Sequence, residues 1–161
     1  MNKCLLVFYS HTGYTRRVAE QVAKRAQCDI CDIQERHPRS GFSGYLRSAL
    51  EALTGREPAL QEHGHDPSRY AVVIVGTPVW VGRVASPVRA FLSGHPLGEA
   101  RMAAFCTYGG NGAEKALDML AQLAGKSPVS RLALTDSEID SGGTERKVEA
   151  FVDTIRAALP T

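Results

Sequence analysis

Short apolar runs alternate along this chain with longer stretches of helical periodicity, and that alternation restricts the fold more than any other feature. The runs at 3–9, 28–33, 70–75, 101–106 and 129–134 are rich in apolar residues and bounded by turn formers, as strands are. Between them, apolar residues recur at spacings of three and four. Val18, Ala19, Val22, Ala23 and Ala26 form one such face, and Leu46, Ala49, Leu50 and Leu53 a second. Ala116, Leu117, Leu120, Leu123 and Ala124 mark another, and Val148, Phe151, Val152, Ile155 and Leu159 the last. One more helix is expected to open at Ser86-Pro87 and run through Phe91 and Leu92, since serine caps well and proline suits the first helical position.

The resulting order is βαβαβαβαβα. Runs such as Leu5-Leu6-Val7-Phe8 and Val72-Val73-Ile74-Val75 are apolar on both faces. A parallel sheet covered by helices on both sides requires that. Right-handed crossovers then favour a doubly wound α/β sheet that binds ligands at the carboxyl ends of its strands. At 161 residues, the chain is expected to form a single domain over 1–161.

Charge and cysteine content narrow the function. A net charge of +2 is too small to argue for nucleic acid, and no basic block is present. The apolar run 5–8 is far shorter than a membrane span, and no secretion signal is evident. The expectation is a cytoplasmic protein with no membrane partner, whose four cysteines are free thiols.

The first turn carries the clearest chemistry. In YSHTGYT, Ser10, Thr12, Gly13 and Thr15 gather where strand one becomes a helix. A helix start leaves N–H groups unpaired and carries positive partial charge, so it attracts an anion. Three hydroxyls add donors, whereas ordinary capping accounts for one of them. This reads as a phosphate cradle built largely without charged side chains. A Walker loop and the Rossmann glycine triplet are absent. A phosphatase loop would need cysteine at position 10, and a receiver domain acidic residues after strands one and three. Arg16 and Arg17 add positive charge nearby, although a cation in the first turn opposes the helix dipole.

Two more loops reach the same sheet edge. GTPVWVG places the only tryptophan, Trp80, after a strand expected to stop at Thr77-Pro78, and TYGGNG follows strand four. An aromatic wall and a glycine-rich turn beside a phosphate site fit a phosphorylated planar cofactor.

In order and spacing, these motifs resemble those of flavodoxin-like proteins. YSHTGYT resembles the family's phosphate signature, and GTPVWVG with SPVRAFL, then TYGGNG, resemble its second and third flavin loops. The resemblance implies a flavodoxin-like fold with strand order 2-1-3-4-5 and bound flavin mononucleotide (FMN). It assigns the phosphate to Ser10, His11, Thr12, Gly13, Tyr14 and Thr15. It places the isoalloxazine between Thr77, Pro78, Val79, Trp80 and Gly82 on one side and Thr107, Tyr108, Gly109 and Gly110 on the other. His11 is expected to act through its backbone. The chain departs from the electron-carrying flavodoxins at Tyr14, often asparagine there, and in the lack of carboxylates in its flavin loops.

No catalytic dyad is evident, so the flavin would carry the chemistry while the protein binds and tunes it. Uncharged loops ease full reduction, because nearby carboxylates would oppose the negative charge that develops at N1. That favours an oxidoreductase acting on a quinone or another small acceptor, with a nicotinamide cofactor or a reductase as donor. The alternative is an electron carrier that docks to redox proteins. A homo-oligomeric state is left open.

The remaining candidates read as structural. Cys28-x-x-Cys31 has redox spacing but falls within a strand, and Cys106 reads as a buried strand thiol. His63-x-His65 beside Asp66 has no further metal-ligand pattern and reads as a solvated loop. RSGFSGYLRSAL is either a lid carrying Phe42 and Tyr45 or a plain amphipathic helix.

Overall fold

The computed structural model describes residues 3–38 and 41–160, apart from the side chains of Phe42 and Tyr45. The lid reading of those two aromatics, and part of the irregular stretch before them, therefore lies outside the described residues. The elements are β1 (Cys4–Phe8), α1 (Tyr14–Ala26), β2 (Asp29–Asp32), α2 (Gly41–Thr54), β3 (Val72–Trp80), β4 (Arg83–Val84), α3 (Ser86–Gly94), β5 (Arg101–Tyr108), α4 (Ala113–Ala124), β6 (Arg131–Thr135), α5 (Asp136–Ser141) and α6 (Glu145–Ala158).

Five parallel strands lie in the order β2-β1-β3-β5-β6, and the short β4 pairs antiparallel with β3. Counting the parallel strands alone, this is the expected 2-1-3-4-5 arrangement. Strand alternation feeds two cores. Leu5, Val7, Val73, Val75, Met102 and Ala104 pack with Val88 and Phe91 of α3 and Leu117 and Leu120 of α4. On the opposite face, Leu6, Phe8, Ile74, Ala103 and Phe105 pack with Val18 and Val22 of α1 and Phe151 and Ile155 of α6. Both faces of β1, β3 and β5 are thus covered, which is why those runs carry no polar alternation.

Three expectations are corrected. Strand three does not stop at Thr77-Pro78. It continues to Trp80 and turns through Val81 and Gly82 into β4, with Trp80 paired to Arg83. Second, the cysteines are not all free: Cys4 and Cys28 form a disulfide, and only Cys31 and Cys106 remain as thiols, both buried. Pairing of β1 with β2 sets Leu5 beside Asp29, and so brings the residues just before them, Cys4 and Cys28, together, with Cα atoms 4.6 Å apart.

The third correction concerns α2, whose leucine face is not part of the core. Leu46, Leu50 and Leu53 are 52%, 52% and 62% exposed, whereas Ser48, Glu51 and Ala52 are buried. A polar network overrides the apolar pattern. Glu51 accepts from Arg47 Nε (3.0 Å) and from the Ser86 hydroxyl, and Arg47 Nη2 also reaches Glu35 (3.1 Å). Buried Arg89 of α3 donates to the Glu51 carbonyl (2.9 Å), so its cation sits at the negative end of the α2 dipole. Once buried, charges hold this firmly only when paired, which fixes the inward face.

Candidate functional site

The first turn leaves a helix start open. Gly13 caps α1 at φ 104°, a left-handed conformation suited to glycine, and a Cβ there would meet nothing within 4 Å. The first intrahelical bond runs from Arg17 N–H to Gly13 O (3.1 Å), so the N–H groups of Tyr14, Thr15 and Arg16 lie ahead of the ladder. Among the described residues no side chain caps the helix start, and no acidic residue occupies the first turn. By contrast, α5 is closed by a capping box between Thr135 and Glu138. Ser10 Oγ accepts from Gly13 N–H (3.1 Å) and shapes the turn. Thr12 and His11 are exposed. Thr15 is buried, its hydroxyl 2.8 Å from that of Thr107.

Other first-turn side chains are engaged elsewhere. The Tyr14 hydroxyl donates to Asp140 Oδ2 (2.7 Å), which is the main cause of its raised pKa. Arg16 pairs with Asp32 (2.6 Å) and Arg17 with Asp140 (3.0 Å), so neither guanidinium is free to face the cradle. The His11 imidazole stands edge-on to Trp80, ring centroids 6.3 Å apart. Its ring thus touches the aromatic of the second loop.

The second wall is the β3–β4 hairpin. Thr77 is buried; its hydroxyl accepts from Ala85 N–H (3.0 Å) and donates to Pro78 O (2.8 Å), which ties the hairpin to its base. Val81 and Gly82 both have positive φ, 51° and 70°, as a two-residue type I′ turn requires. Trp80 is braced edge-on by Tyr9 at 5.6 Å, and the Tyr9 hydroxyl donates to buried Glu35 (2.8 Å). Val79, Pro78 and Trp80 are half-buried on this wall.

The third loop meets the second through glycine backbones. A Cβ on Gly112 would lie 2.7 Å from Gly82 Cα, closer than real Cβ atoms come, and 3.3 Å from Val79 Cγ1. Tyr108 is half-buried, and Gly109 and Gly110 are exposed beyond it. The loop itself contributes no acid, but β6 delivers one: a Cβ on Gly109 would lie 3.7 Å from Asp136 Oδ2. Burial, then the neighbouring Asp140 carboxylate, raises the pKa of Asp136. The signal for this neighbour was a short capping box, Thr135-x-x-Glu138, whose helix α5 starts at the sheet edge.

The two free thiols are buried and poorly ionised. Burial pushes Cys31 up to about 11 and Cys106 up to about 12. Such thiols are inert rather than nucleophilic. The His63 Nε2 lies 3.1 Å from His95 Nε2, and no group of three or more His, Cys, Asp or Glu able to hold a metal ion occurs among the described residues.

A doubly wound sheet with an open anion cradle after its first strand, an aromatic hairpin after its third and a glycine turn after its fourth parallel strand defines the class: an α/β protein shaped for a phosphorylated planar ligand. Residues 3–155 match the Flavodoxin family, and the chain belongs to it. A curated relative, an NAD(P)H dehydrogenase (quinone) of Cupriavidus metallidurans, is 28% identical over 93 residues. That match covers 57% of this chain and 46% of the relative, less than half its length. Among solved structures, a flavoprotein of Lactobacillus acidophilus in complex with FMN superposes with a TM-score of 0.68 at 24% identity, covering 88% of this chain and 98% of that one. A flavodoxin, WrbA-like protein of Agrobacterium tumefaciens superposes at 0.63 with 18% identity, covering 98% of each chain. At these identities the two structures establish the fold. No helix among the described residues is long and apolar enough to cross a membrane.

Proposed function

We propose that this protein is an FMN-dependent oxidoreductase that passes electrons from a nicotinamide cofactor or a reductase to a small acceptor of the quinone class. When bound, FMN supplies the redox chemistry itself. The backbone N–H groups of Tyr14, Thr15 and Arg16, with the hydroxyls of Ser10, Thr12 and Thr15, hold the phosphate. Trp80 and the hairpin line one side of the ring, and residues 107–110 the other.

The observation that carries the reading is the uncharged lining. Residues 77–82 and 107–112 hold no Asp, Glu, Lys or Arg. A unit negative charge about 4 Å from the ring would oppose electron uptake by roughly 4 kcal/mol at an effective dielectric near 20. Without it, the third-loop amides can favour the electron-rich ring. The similarity to a quinone-reducing dehydrogenase supports the same reading.

One feature favours the electron-carrier alternative: Asp136 stands beside Gly109 and supplies the acid the loops lack. The test is steady-state oxidation of NADH or NADPH by the FMN-loaded protein with a small quinone. Sustained quinone-dependent turnover supports the enzyme. No turnover with either nucleotide, together with rapid electron exchange with a reductase protein, would overturn it in favour of the carrier.

A further inference from the structure

Histidines from two separate parts of the chain meet at the carboxyl end of α3, and we propose that His63 and His95 form an acid-released latch that ties the segment 59–66 to that helix. His63 Nε2 lies 3.1 Å from His95 Nε2, with ring centroids 4.6 Å apart. The His63 ring also packs on Phe91 (5.0 Å), against which His95 stacks (4.4 Å). The loop whose sequence reads as solvated is thus seated on the helix.

The neighbouring hydrogen bonds fix where each proton sits. His95 Nδ1 lies 2.9 Å from the Phe91 carbonyl, which only accepts, so Nδ1 carries the proton and Nε2 a lone pair. His63 Nδ1 accepts from His65 N–H (3.2 Å), so the His63 proton is on Nε2 and is donated to His95. Two neutral rings fill every position. A further proton on His95 Nε2 would set two N–H groups against each other, and one on His63 Nδ1 would face the His65 N–H. Either breaks a bond of the latch. In keeping with this, burial and then His95 and His65 hold the His63 pKa below its ordinary value.

The other groups around the pair do not replace those bonds. His65 Nδ1 lies 3.3 Å from the Tyr70 hydroxyl, which itself donates to Asp29 (2.8 Å). Asp66 feels the charge of His95 but is bonded to Ser68. A cavity of about 250 Å³, lined by Leu60, Gln61, Glu62, His63 and His95, opens on the pair. A proton can therefore enter from solvent, and Glu62 is the carboxylate at hand for a released imidazolium.

The latched segment backs the wall that carries Trp80. Gln61 N–H donates to Gln34 O (2.7 Å) and Gln61 Nε2 to Glu35 O (3.1 Å), while the Glu35 carboxylate accepts from Tyr9, the brace of Trp80. Stability from the latch is full above the unfolded histidine value of about 6.5 and is lost as pH falls through the lower folded value. The latch stands whether or not the chain binds FMN.

Long-range nitrogen–proton NMR spectra of the imidazoles, with hydrogen-exchange protection factors at the Gln61 amide, test this on the full chain. At about pH 8, His63 should be the Nε2–H tautomer and His95 the Nδ1–H tautomer. Protection at Gln61 should fall about tenfold between roughly pH 8 and pH 5, the worth of one hydrogen bond. His63→Ala should start at the low level and show no such step. A His63 that is the Nδ1–H tautomer at the higher pH, or parent protection that stays constant over the range, would overturn the proposal. So would a step that survives in His63→Ala.

Discussion

The hydroxyls of Thr15 and Thr107 lie 2.8 Å apart and buried, joining the floor of the phosphate cradle to the start of the third loop. Two hydroxyls in contact use one proton between them, so the second remains available to a ligand oxygen. On the proposed reading the pair serves structure and binding together, and substitution can separate the roles. Thr15→Val strands the Thr107 hydroxyl and should cost about 1–3 kcal/mol of stability. Adding Thr107→Val should recover most of that loss, because replacing both partners is nearly neutral. FMN affinity should stay about tenfold or more below the parent in both variants. Thermal melts and fluorescence titrations check this; recovery of affinity in the double variant would deny Thr15 a ligand role.

The close approach of Gly82 and Gly112 makes a second prediction. An alanine at 112 would need a positive φ, 91° in the structure, and would drive its Cβ into the Gly82 backbone. Gly112→Ala should cost about 1–3 kcal/mol through strain alone and part the two flavin loops. The melting temperature and FMN affinity should fall together. Unchanged affinity would show that the hairpin and the third loop act independently.

Much of this arrangement was legible in the sequence. The central strands β1, β3 and β5 were legible because a strand buried on both faces reads as an unbroken apolar run, the partly buried edge strands β2 and β6 were marked instead by their bounding turns, and the strand–helix alternation put three loops on one edge. What stayed hidden was set by contacts distant in sequence. The leucines of α2 read as core because period alone cannot reveal that Glu51, Ser86 and Arg89 claim the inward face. The Cys4–Cys28 bond becomes visible only once β1 and β2 are aligned. Likewise, nothing near Tyr14 in the sequence shows that α5 brings Asp140 to its hydroxyl.

Asp136 has a pH signature with a definite sign. Its folded pKa is raised, first by burial and then by Asp140, so the folded protein keeps this proton at pH values where the unfolded chain has lost it. Stability from this group is therefore full below the ordinary carboxylate range and declines as pH rises through the folded value. Asp136→Asn cannot ionise. It should melt higher than the parent at neutral pH, and the difference should shrink as the pH falls below about 4. The same change should make bound FMN easier to reduce. A lower melting temperature at neutral pH would contradict the assigned direction.

Thiol counting tests the disulfide. Denatured without reductant, the protein should expose the two thiols of Cys31 and Cys106, and with reductant all four. Cys28→Ser should destabilise by about 3 kcal/mol, given the 24-residue separation of the bonded pair. Four reactive thiols before reduction would restore the original expectation.

The central claim is that the α1 cradle binds the phosphate of FMN while Trp80 lines the ring. Titrating apoprotein in parallel with FMN and riboflavin, and following Trp80 emission, tests both halves at once. Trp80 is the only tryptophan, so the signal reports one wall of the site. The account predicts strong quenching with FMN and an affinity at least a hundredfold above that for riboflavin, since several charge-assisted hydrogen bonds of about 1.5–3 kcal/mol each depend on the phosphate. Equal affinities for the two ligands, or saturation that leaves Trp80 emission unchanged, would contradict it.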